Sequence, residues 1–189
     1  AAAARAALAD AGWEPGDVTH LVSVSCTGFA APNFDLGLLR ALGLRRTVER
    51  THVGFMGCHG ALNGLRVARG YAESDPRARV LVCAVELCSL HYQYGWSGDW
   101  LVSNAIFADG AAALAGSADR PAGPPWALTR NGAALLEDSA GLRSGRIGDH
   151  GFEMALSARV PNVIERELRP WLDGWLGEQG LSTGDIATW

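Results

Sequence analysis

The sequence has no excess of positive charge. It contains no lysine, and its 16 basic residues are outnumbered by 20 acidic ones, which gives a formal net charge of −4. Proteins that bind nucleic acid or an anionic membrane surface normally present a basic patch. We therefore expect neither nucleic acid nor a membrane among the partners of this protein.

Cysteine is also scarce, and long apolar runs are missing. The four cysteines lack the close paired spacing of a zinc site, and all lie in or beside apolar segments: Cys26, Cys58, Cys83 and Cys88. Reduced thiols in a cytoplasmic protein are therefore expected, not a disulfide framework. No apolar run approaches the roughly 20 residues that a membrane-spanning helix needs.

What is present is a globular composition with alternating strand and helix patterns. Hydrophobic residues make up 48% of the 189 residues and charged residues 19%, enough for one domain or two small ones. The alternation predicts an α/β fold with a largely parallel sheet. The predicted helices are 1–12, 35–42, a helix from Cys58 to about 73, and 162–179 with an interruption or a kink near Pro170. The predicted strands are 20–25, 48–56, 80–85 and 126–131, with a loop-rich stretch over 131–152.

Cys58 follows a segment that reads as a buried strand and precedes a helical pattern rich in small residues. The free N–H groups and the positive end of a helix favour a thiolate over a thiol, and the thiolate is the nucleophilic form. This position suits a reactive cysteine. The alternative is a small buried residue that fills a strand-to-helix corner.

The segment Gly57–Ala61 (GCHGA) resembles the nucleophile motif of the type III polyketide synthases, the chalcone-synthase-like family. Further segments resemble that family in the same order along the chain: Thr19–Val22, Cys26–Gly28, Ala31–Asp35, Ala78–Glu86 and Leu101–Ala113. The residues near Cys58 are more similar to bacterial members than to plant ones.

The resemblance implies a thiolase-like fold, in which two related αβαβα halves form layers. Residues 1–117 would form most of the first half, 118–125 a linker rich in proline, glycine and alanine, and 126–189 the beginning of the second half. The chain begins without methionine, and no histidine in it matches the family's His-Pro-Gly-Gly loop. We therefore expect a central fragment, with the catalytic histidine and asparagine encoded beyond Trp189.

The activity implied is acyl transfer from coenzyme A thioesters. Cys58 would take an acyl group from an acyl-CoA starter, extend it repeatedly with malonyl-CoA through decarboxylative condensation, and release a cyclised product. No metal or redox cofactor is implied. The family works as a homodimer, with the segment near Ala31 and Pro32 at the subunit contact. Two alternatives stay open: a ketoacyl-ACP synthase III-like enzyme that stops after one condensation, and a non-catalytic partner subunit.

The resemblance also implies a set of substrate-binding residues. Phe107 falls at the position of an aromatic gatekeeper that faces the cysteine, and Cys26 and Thr27 match a polar turn beside the cavity. Three further residues match positions that line the elongation cavity, and one matches a glycine of its wall: Cys88, His91, Ser103 and Gly145. Ordinary core packing or loop chemistry is the alternative for each.

Two histidines are weak candidates for a catalytic base. His59 directly follows Cys58, and adjacent helix residues point about 100° apart, so His59 is poorly placed to accept the thiol proton. His150 lies in a glycine-flanked turn that is predicted to be exposed. Neither is expected to activate the nucleophile.

Overall fold

A computed structural model describes residues 1–119 and 126–189. The helices are α1 (Ala2–Ala11), α2 (Asp35–Leu42), α3 (Gly60–Ser74), α4 (Gly98–Ile106) and α5 (Val160–Glu178). The strands are β1 (His20–Ser25), β2 (Glu49–Gly54), β3 (Arg79–Glu86), β4 (Gly110–Ser117), β5 (Arg143–Gly148) and β6 (Gly151–Leu156). Within the two described ranges, no helix combines the length and the apolarity that crossing a membrane requires.

The chain forms two compact units. The first consists of Ala1–Leu90 and Ala108–Thr129, and the second of His91–Phe107 and Arg130–Trp189. The linker predicted over 118–125 falls largely on residues 120–125, which lie outside the described residues. The predicted division into 1–117 and 126–189 differs from these compact units, because His91–Phe107 groups with the later part of the chain. It stays a prediction about the two halves of the fold.

The first unit is built on a four-stranded sheet with the order β2-β1-β3-β4. Strands β2, β1 and β3 run parallel, and β4 pairs with β3 in the antiparallel sense. All six residues of β1 are buried, because helices cover both faces of the sheet. One apolar cluster joins β1 and β3 to α1 and α2, and a second joins them to α3. The largely parallel sheet predicted from the sequence is confirmed.

Helix α3 lies against β1 on a face of small residues. Gly60, Gly64 and Ala68 are buried at intervals of four along the helix. A Cβ atom at Gly64 would lie 2.7 Å from Cγ2 of Val24, which is closer than real Cβ contacts. Because Gly60 and Gly64 have no side chains, α3 can pack closely against β1. This close packing places the start of α3 beside the end of β1.

Several predicted boundaries are confirmed. Helices α1 and α2 end at Gly12 and Gly43, both left-handed, with φ of 65° and 73°. Strand β2 is shorter than predicted and is not buried. It occupies a sheet edge, and it ends at Gly54 because Phe55 turns out of the extended conformation with φ of 57°.

In the second unit, β5 and β6 form an antiparallel hairpin whose turn is Asp149–His150, and α4 packs against β6. The loop-rich stretch predicted over 131–152 was therefore wrong in its second half, since β5 lies there. Its sequence, Arg143–Gly148, mixes glycine with charge and shows no apolar alternation. The strand predicted over 126–131 is also absent, and Trp126 is 98% exposed. Helix α5 runs through Pro170 without the interruption that was one of the two predicted outcomes, and the kink stays a prediction.

Candidate functional site

The turn that carries Cys58 is made of two left-handed residues and one short helical turn. Phe55 and Gly57 have φ of 57° and 73°, and Cys58 then lies in a single 3-10 turn, Gly57–His59. Helix α3 begins only at Gly60, so Cys58 precedes the α-helix by one short turn and does not open it as predicted. The thiol belongs to an exposed residue. Its exposure rules out the alternative of a buried corner-filling cysteine.

Cys26 binds the residue that precedes Cys58. The Gly57 N–H donates to Sγ of Cys26 at 3.1 Å, and the Cys26 thiol donates to the Gly57 carbonyl at 3.6 Å. The Cys26 side chain thus forms hydrogen bonds with both the N–H and the carbonyl of Gly57, which has a left-handed conformation. The structure therefore brings together two residues that the sequence assigned to the site, Cys26 and Cys58, through the backbone of Gly57.

Glu86, the last residue of β3, holds the polar turn in place. Its carboxylate accepts the Cys26 N–H at 2.9 Å, the Thr27 N–H at 3.0 Å and the Thr27 hydroxyl at 2.6 Å. Thr27 Oγ1 in turn accepts the Leu87 N–H at 2.7 Å. Glu86 was not among the site residues predicted from the sequence. The sequence offered one indication of this role: a carboxylate directly follows six apolar residues. A carboxylate at the end of a buried strand must be hydrated or accept hydrogen bonds from specific donors.

Removing the Cys26 thiol is expected to loosen Gly57 specifically. In Cys26→Ala, hydrogen exchange at the Gly57 amide should accelerate about fivefold, because the N–H loses an acceptor that stabilises by about 1 kcal/mol. Amide exchange measured by NMR tests this, and Cys26→Ser should keep part of the protection. Unchanged exchange at Gly57 in a folded Cys26→Ala protein would contradict the assignment.

Thr19 offers a matched control at the other end of β1. Its hydroxyl accepts the Arg79 N–H at 2.8 Å and donates to the Arg79 carbonyl at 3.2 Å, the same two-way contact with a single residue. Thr19→Ala should accelerate exchange at Arg79 and leave Gly57 unchanged. A general loosening of the sheet would instead accelerate both amides in both variants.

Cys88 lies in a short helical turn, Cys88–His91, that follows β3, and it is half-buried. The neighbouring Ser89 ties this turn to the start of β4. Its N–H and hydroxyl donate to the Asp109 carboxylate at 2.8 and 2.7 Å. The backbone hydrogen bond, followed by the hydroxyl, lowers the pKa of Asp109. Asp109, directly before β4, therefore holds the turn that contains Cys88.

Cys83 is unsuited to nucleophilic work. It lies in the middle of β3 and is buried among the side chains of α1 and α2. Burial in apolar surroundings raises the pKa of its thiol to about 11, so the thiol stays protonated near neutral pH. Cys83 is a core residue.

In the second unit, Ser103 and Phe107 lie four residues apart at the end of α4. Ser103 is buried, and its hydroxyl donates to the Met154 carbonyl of β6 at 3.4 Å. The Phe107 N–H donates to the Ser103 carbonyl at 3.0 Å. The predicted gatekeeper therefore directly follows the last turn of α4 and is bound through its N–H to the predicted cavity serine.

His91 and Gly145 approach the same hairpin. Nδ1 of His91 accepts the Phe152 N–H at 3.2 Å, and the imidazole packs edge-on against the Phe152 ring. Gly145 lies opposite Met154 in the β5–β6 register, and a Cβ atom there would meet the Met154 sulfur at 3.4 Å. Four predicted site residues of this unit therefore lie on or beside α4, β5 and β6: His91, Ser103, Phe107 and Gly145. His150 lies in the exposed hairpin turn, as expected.

Arg143 is a residue that the sequence analysis missed. It opens β5, and its guanidinium carbon lies 5.9 Å from the centroid of the Phe107 ring. Residues two apart on a strand face the same way, so Arg143 and Gly145 share one face of the hairpin. No local signal distinguishes this arginine from the other 15 in the chain.

Comparison with known proteins gives one consistent result. Residues 1–120 match the sequence model of the chalcone and stilbene synthases, N-terminal domain. The chain is 37% identical to 1,3,6,8-tetrahydroxynaphthalene synthase of Streptomyces peucetius subsp. caesius, over 97% of this chain and 49% of that protein. It is also 37% identical to type III polyketide synthase C of Arabidopsis thaliana, over 79% of this chain and 40% of that protein.

Solved structures agree with the sequence comparison. The crystal structure of 1,3,6,8-tetrahydroxynaphthalene synthase from Streptomyces coelicolor A3(2), a bacterial type III polyketide synthase, superposes with a TM-score of 0.89 at 30% identity. The match covers 98% of this chain and 53% of that one. PKS-I of the brown alga Ectocarpus siliculosus gives 0.93 at 36% identity, covering 98% and 50%.

The chain therefore spans about half the length of the relatives that it matches. The α/β architecture predicted from the sequence is confirmed as the corresponding part of the thiolase-like fold of type III polyketide synthases. Because the domain model covers well over half of the 189 residues, the chain belongs to the chalcone and stilbene synthase family.

Proposed function

We propose that this protein is an acyltransferase that builds a polyketide on Cys58 from an acyl-CoA starter and malonyl-CoA. The observation that carries the proposal is the exposed thiol of Cys58 beside Gly57, whose backbone Cys26 binds while Glu86 binds the Cys26 N–H, in a chain of this family. A nucleophile on such a rigid turn can be reached by a large thioester while its position stays fixed.

The first step would be transfer of the starter. The Cys58 thiolate attacks the thioester carbonyl of acyl-CoA, a carbon–sulfur bond forms to Sγ, and the bond to coenzyme A sulfur breaks. The electron pair leaves with the coenzyme A thiolate, which takes up a proton. No redox cofactor is needed, because no electrons leave the substrates, and no metal is proposed.

The extension step would use malonyl-CoA. Its carboxylate departs as carbon dioxide, and the electron pair of the broken carbon–carbon bond forms an enolate. The enolate carbon attacks the thioester carbonyl on Cys58, which releases the Cys58 thiolate and leaves the longer chain on coenzyme A. Phe107, half-buried at the end of α4, is proposed to favour loss of the carboxylate by excluding water from it.

Cys26, Thr27, Cys88, His91, Ser103 and Gly145 are proposed to shape the space for the growing chain. Partners other than substrates would be a second copy of the protein, bound near Ala31 and Pro32. Support for this contact comes from Phe29, which precedes these residues and is 67% exposed. Large exposed aromatic side chains are typical of protein interfaces.

The experiment combines ¹³C-labelled malonyl-CoA, an acyl-CoA starter, and the protein with any sequence that continues beyond Trp189. We expect the peptide that contains Cys58 to gain the mass of the acyl group, and the products to contain two or more malonyl-derived units. Products with a single unit would contradict iterative extension and indicate a ketoacyl-ACP synthase III-like reaction. Absence of any acyl group on Cys58 would contradict the proposed nucleophile.

A further inference from the structure

Two of the four cysteines flank the backbone of Gly57. Cys58 directly follows this glycine and is exposed, while Cys26 is half-buried and lies against it. The Cys26 sulfur is 3.1 Å from the Gly57 nitrogen and 3.6 Å from its carbonyl oxygen. Across a trans peptide bond that oxygen is about 2.8 Å from the Cα atom of Cys58, so the Cys26 sulfur lies within about 6.5 Å of this Cα atom.

This separation is close to the one that a disulfide requires. In a disulfide the sulfur of one residue lies about 4 Å from the Cα atom of the other, which leaves a difference of at most about 2.5 Å. The Glu86 carboxylate fixes Cys26 by accepting its N–H, whereas Cys58 belongs to a single 3-10 turn, Gly57–His59. A rotation of the Cys58 side chain with a small shift of its turn can therefore bring the two sulfurs together.

The hydrogen bonds at Gly57 allow such a shift. The Gly57 carbonyl also accepts the Gly60 N–H, so it keeps a donor when the Cys26 thiol leaves. The Gly57 N–H gives up a sulfur acceptor, and a thiol is weak both as an acceptor and as a donor. The Cys26 sulfur is therefore held in place without being held strongly.

The two remaining cysteines are placed differently. Cys83 is buried in the core, and its thiol stays protonated near neutral pH, which leaves little of the thiolate that reacts with peroxides. Cys88 is half-buried in the turn after β3, which Ser89 ties to Asp109. Cys26 is thus the cysteine whose sulfur is bonded to the residue next to the exposed thiol.

We propose that Cys26 and Cys58 are a site of reversible oxidation, at which hydrogen peroxide converts the two thiols into a disulfide. The Cys58 thiolate attacks one peroxide oxygen, the oxygen–oxygen bond breaks, and the departing hydroxide takes up a proton, which leaves Cys58 as a sulfenic acid. The Cys26 thiolate then attacks the Cys58 sulfur, a sulfur–sulfur bond forms, and hydroxide leaves and becomes water. Two electrons pass from the thiols to the peroxide, and the products are one disulfide and two water molecules.

Such a disulfide would protect the exposed thiol. A sulfenic acid without a nearby thiol is oxidised further to a sulfinic acid, which thiol reductants do not reverse, whereas they do reduce a disulfide. In a reducing compartment the bond would be transient. That the bond also stops acyl transfer at Cys58 rests on the proposed function, but the bond itself does not.

The test is peptide mapping of the folded protein, with any sequence that continues beyond Trp189, after treatment with hydrogen peroxide. Remaining thiols are blocked with iodoacetamide, and the protein is digested with trypsin without reductant. Because trypsin cleaves after arginine, Cys26 and Cys58 fall in separate peptides, 6–40 and 51–66, and the other two cysteines fall in a third. We expect a linked species of 6–40 and 51–66 that lacks two hydrogen atoms and that dithiothreitol separates.

Variants assign the partner thiol. Cys26→Ser should abolish the linked species and increase sulfinic acid on Cys58 several-fold, because no neighbouring thiol intercepts the sulfenic acid. Cys88→Ser is the matched control, a half-buried cysteine of the same unit, and should form the link as the starting protein does. If Cys26→Ser lacks a thermal transition, Cys26→Ala takes its place, and if both are unfolded the map of the starting protein decides.

Three results in the starting protein overturn the inference. They are a Cys58 thiol that survives peroxide, sulfinic acid on Cys58 while 6–40 and 51–66 stay unlinked, and a link from 51–66 to the third peptide. Acyl transfer is measured separately on the reduced protein. Its absence there contradicts the proposed function and leaves the disulfide standing, while absence of the link leaves the proposed function standing.

Discussion

Replacing Cys58 with alanine is expected to abolish polyketide extension, with product formation falling at least about 10⁴-fold, as for removal of other catalytic nucleophiles. Cys58 is the one exposed thiol among the four cysteines, and Cys88 is half-buried in the turn after β3. Cys83 is buried with its pKa raised to about 11, and Cys26 is bound to the Gly57 backbone. The measurement is incorporation of labelled malonyl-CoA into products larger than the starter. Cys58→Ser should be nearly as damaging, since a hydroxyl is far harder to ionise.

The matched control is Cys83→Ala, which removes a thiol of the same unit from its core. It should cost about 1 kcal/mol of unfolding free energy through the small cavity and leave extension close to normal. Extension that persists in a Cys58→Ala protein with an unchanged melting temperature would show that another group carries the acyl chain.

Glu86→Ala is expected to be among the most destabilising single changes in the first unit. It removes the acceptor for two backbone N–H groups and one hydroxyl, all partly buried, and hydrogen bonds to a charged group contribute about 1.5–3 kcal/mol each. Because water would reach some of the freed donors, the unfolding free energy should fall by about 3 kcal/mol in total. Urea unfolding followed by tryptophan fluorescence measures it.

Two control variants test whether the loss of stability is specific to the Glu86 carboxylate. Glu86→Gln keeps one acceptor oxygen and should lose about half as much, while Glu165→Ala on the exposed face of α5 should stay within about 0.5 kcal/mol. A Glu86→Ala protein as stable as Glu165→Ala would mean that water satisfies the Cys26 and Thr27 donors equally well.

The elements predicted most accurately are those whose signals are local. Strand β1 is a run of buried residues, and α2 ends at a glycine, so both were predicted with their observed bounds. The β5–β6 hairpin was missed because its stability comes from backbone pairing between residues such as Arg143 and Leu156. The residue pattern within Arg143–Gly148 does not predict this pairing. The apolar residues around Trp126 resemble a strand, but β-propensity does not create a partner strand.

The candidate site divides in the same way. The family motif located Cys58 in the sequence. The structure places this residue in a short 3-10 turn before α3, which the motif did not predict. The contacts of Glu86 with Cys26 and Thr27 join residues about 60 positions apart and could not be predicted from spacing. The proximity of Arg143 to Phe107 likewise depends on how the hairpin meets α4. The substrate-binding roles stay predictions until variants are measured.

The central position of β1 affects how this chain must be made. His20 pairs with Glu49 and with Val80, which lie 29 and 60 residues later (49 − 20 and 80 − 20). At roughly 5–20 residues per second, the ribosome needs about 3–12 s after His20 to synthesise the second partner. Throughout that interval the most buried strand of the protein has an unpaired edge and apolar side chains in water. Contacts between such distant residues form slowly, so β1 can make incorrect contacts until β3 has been synthesised.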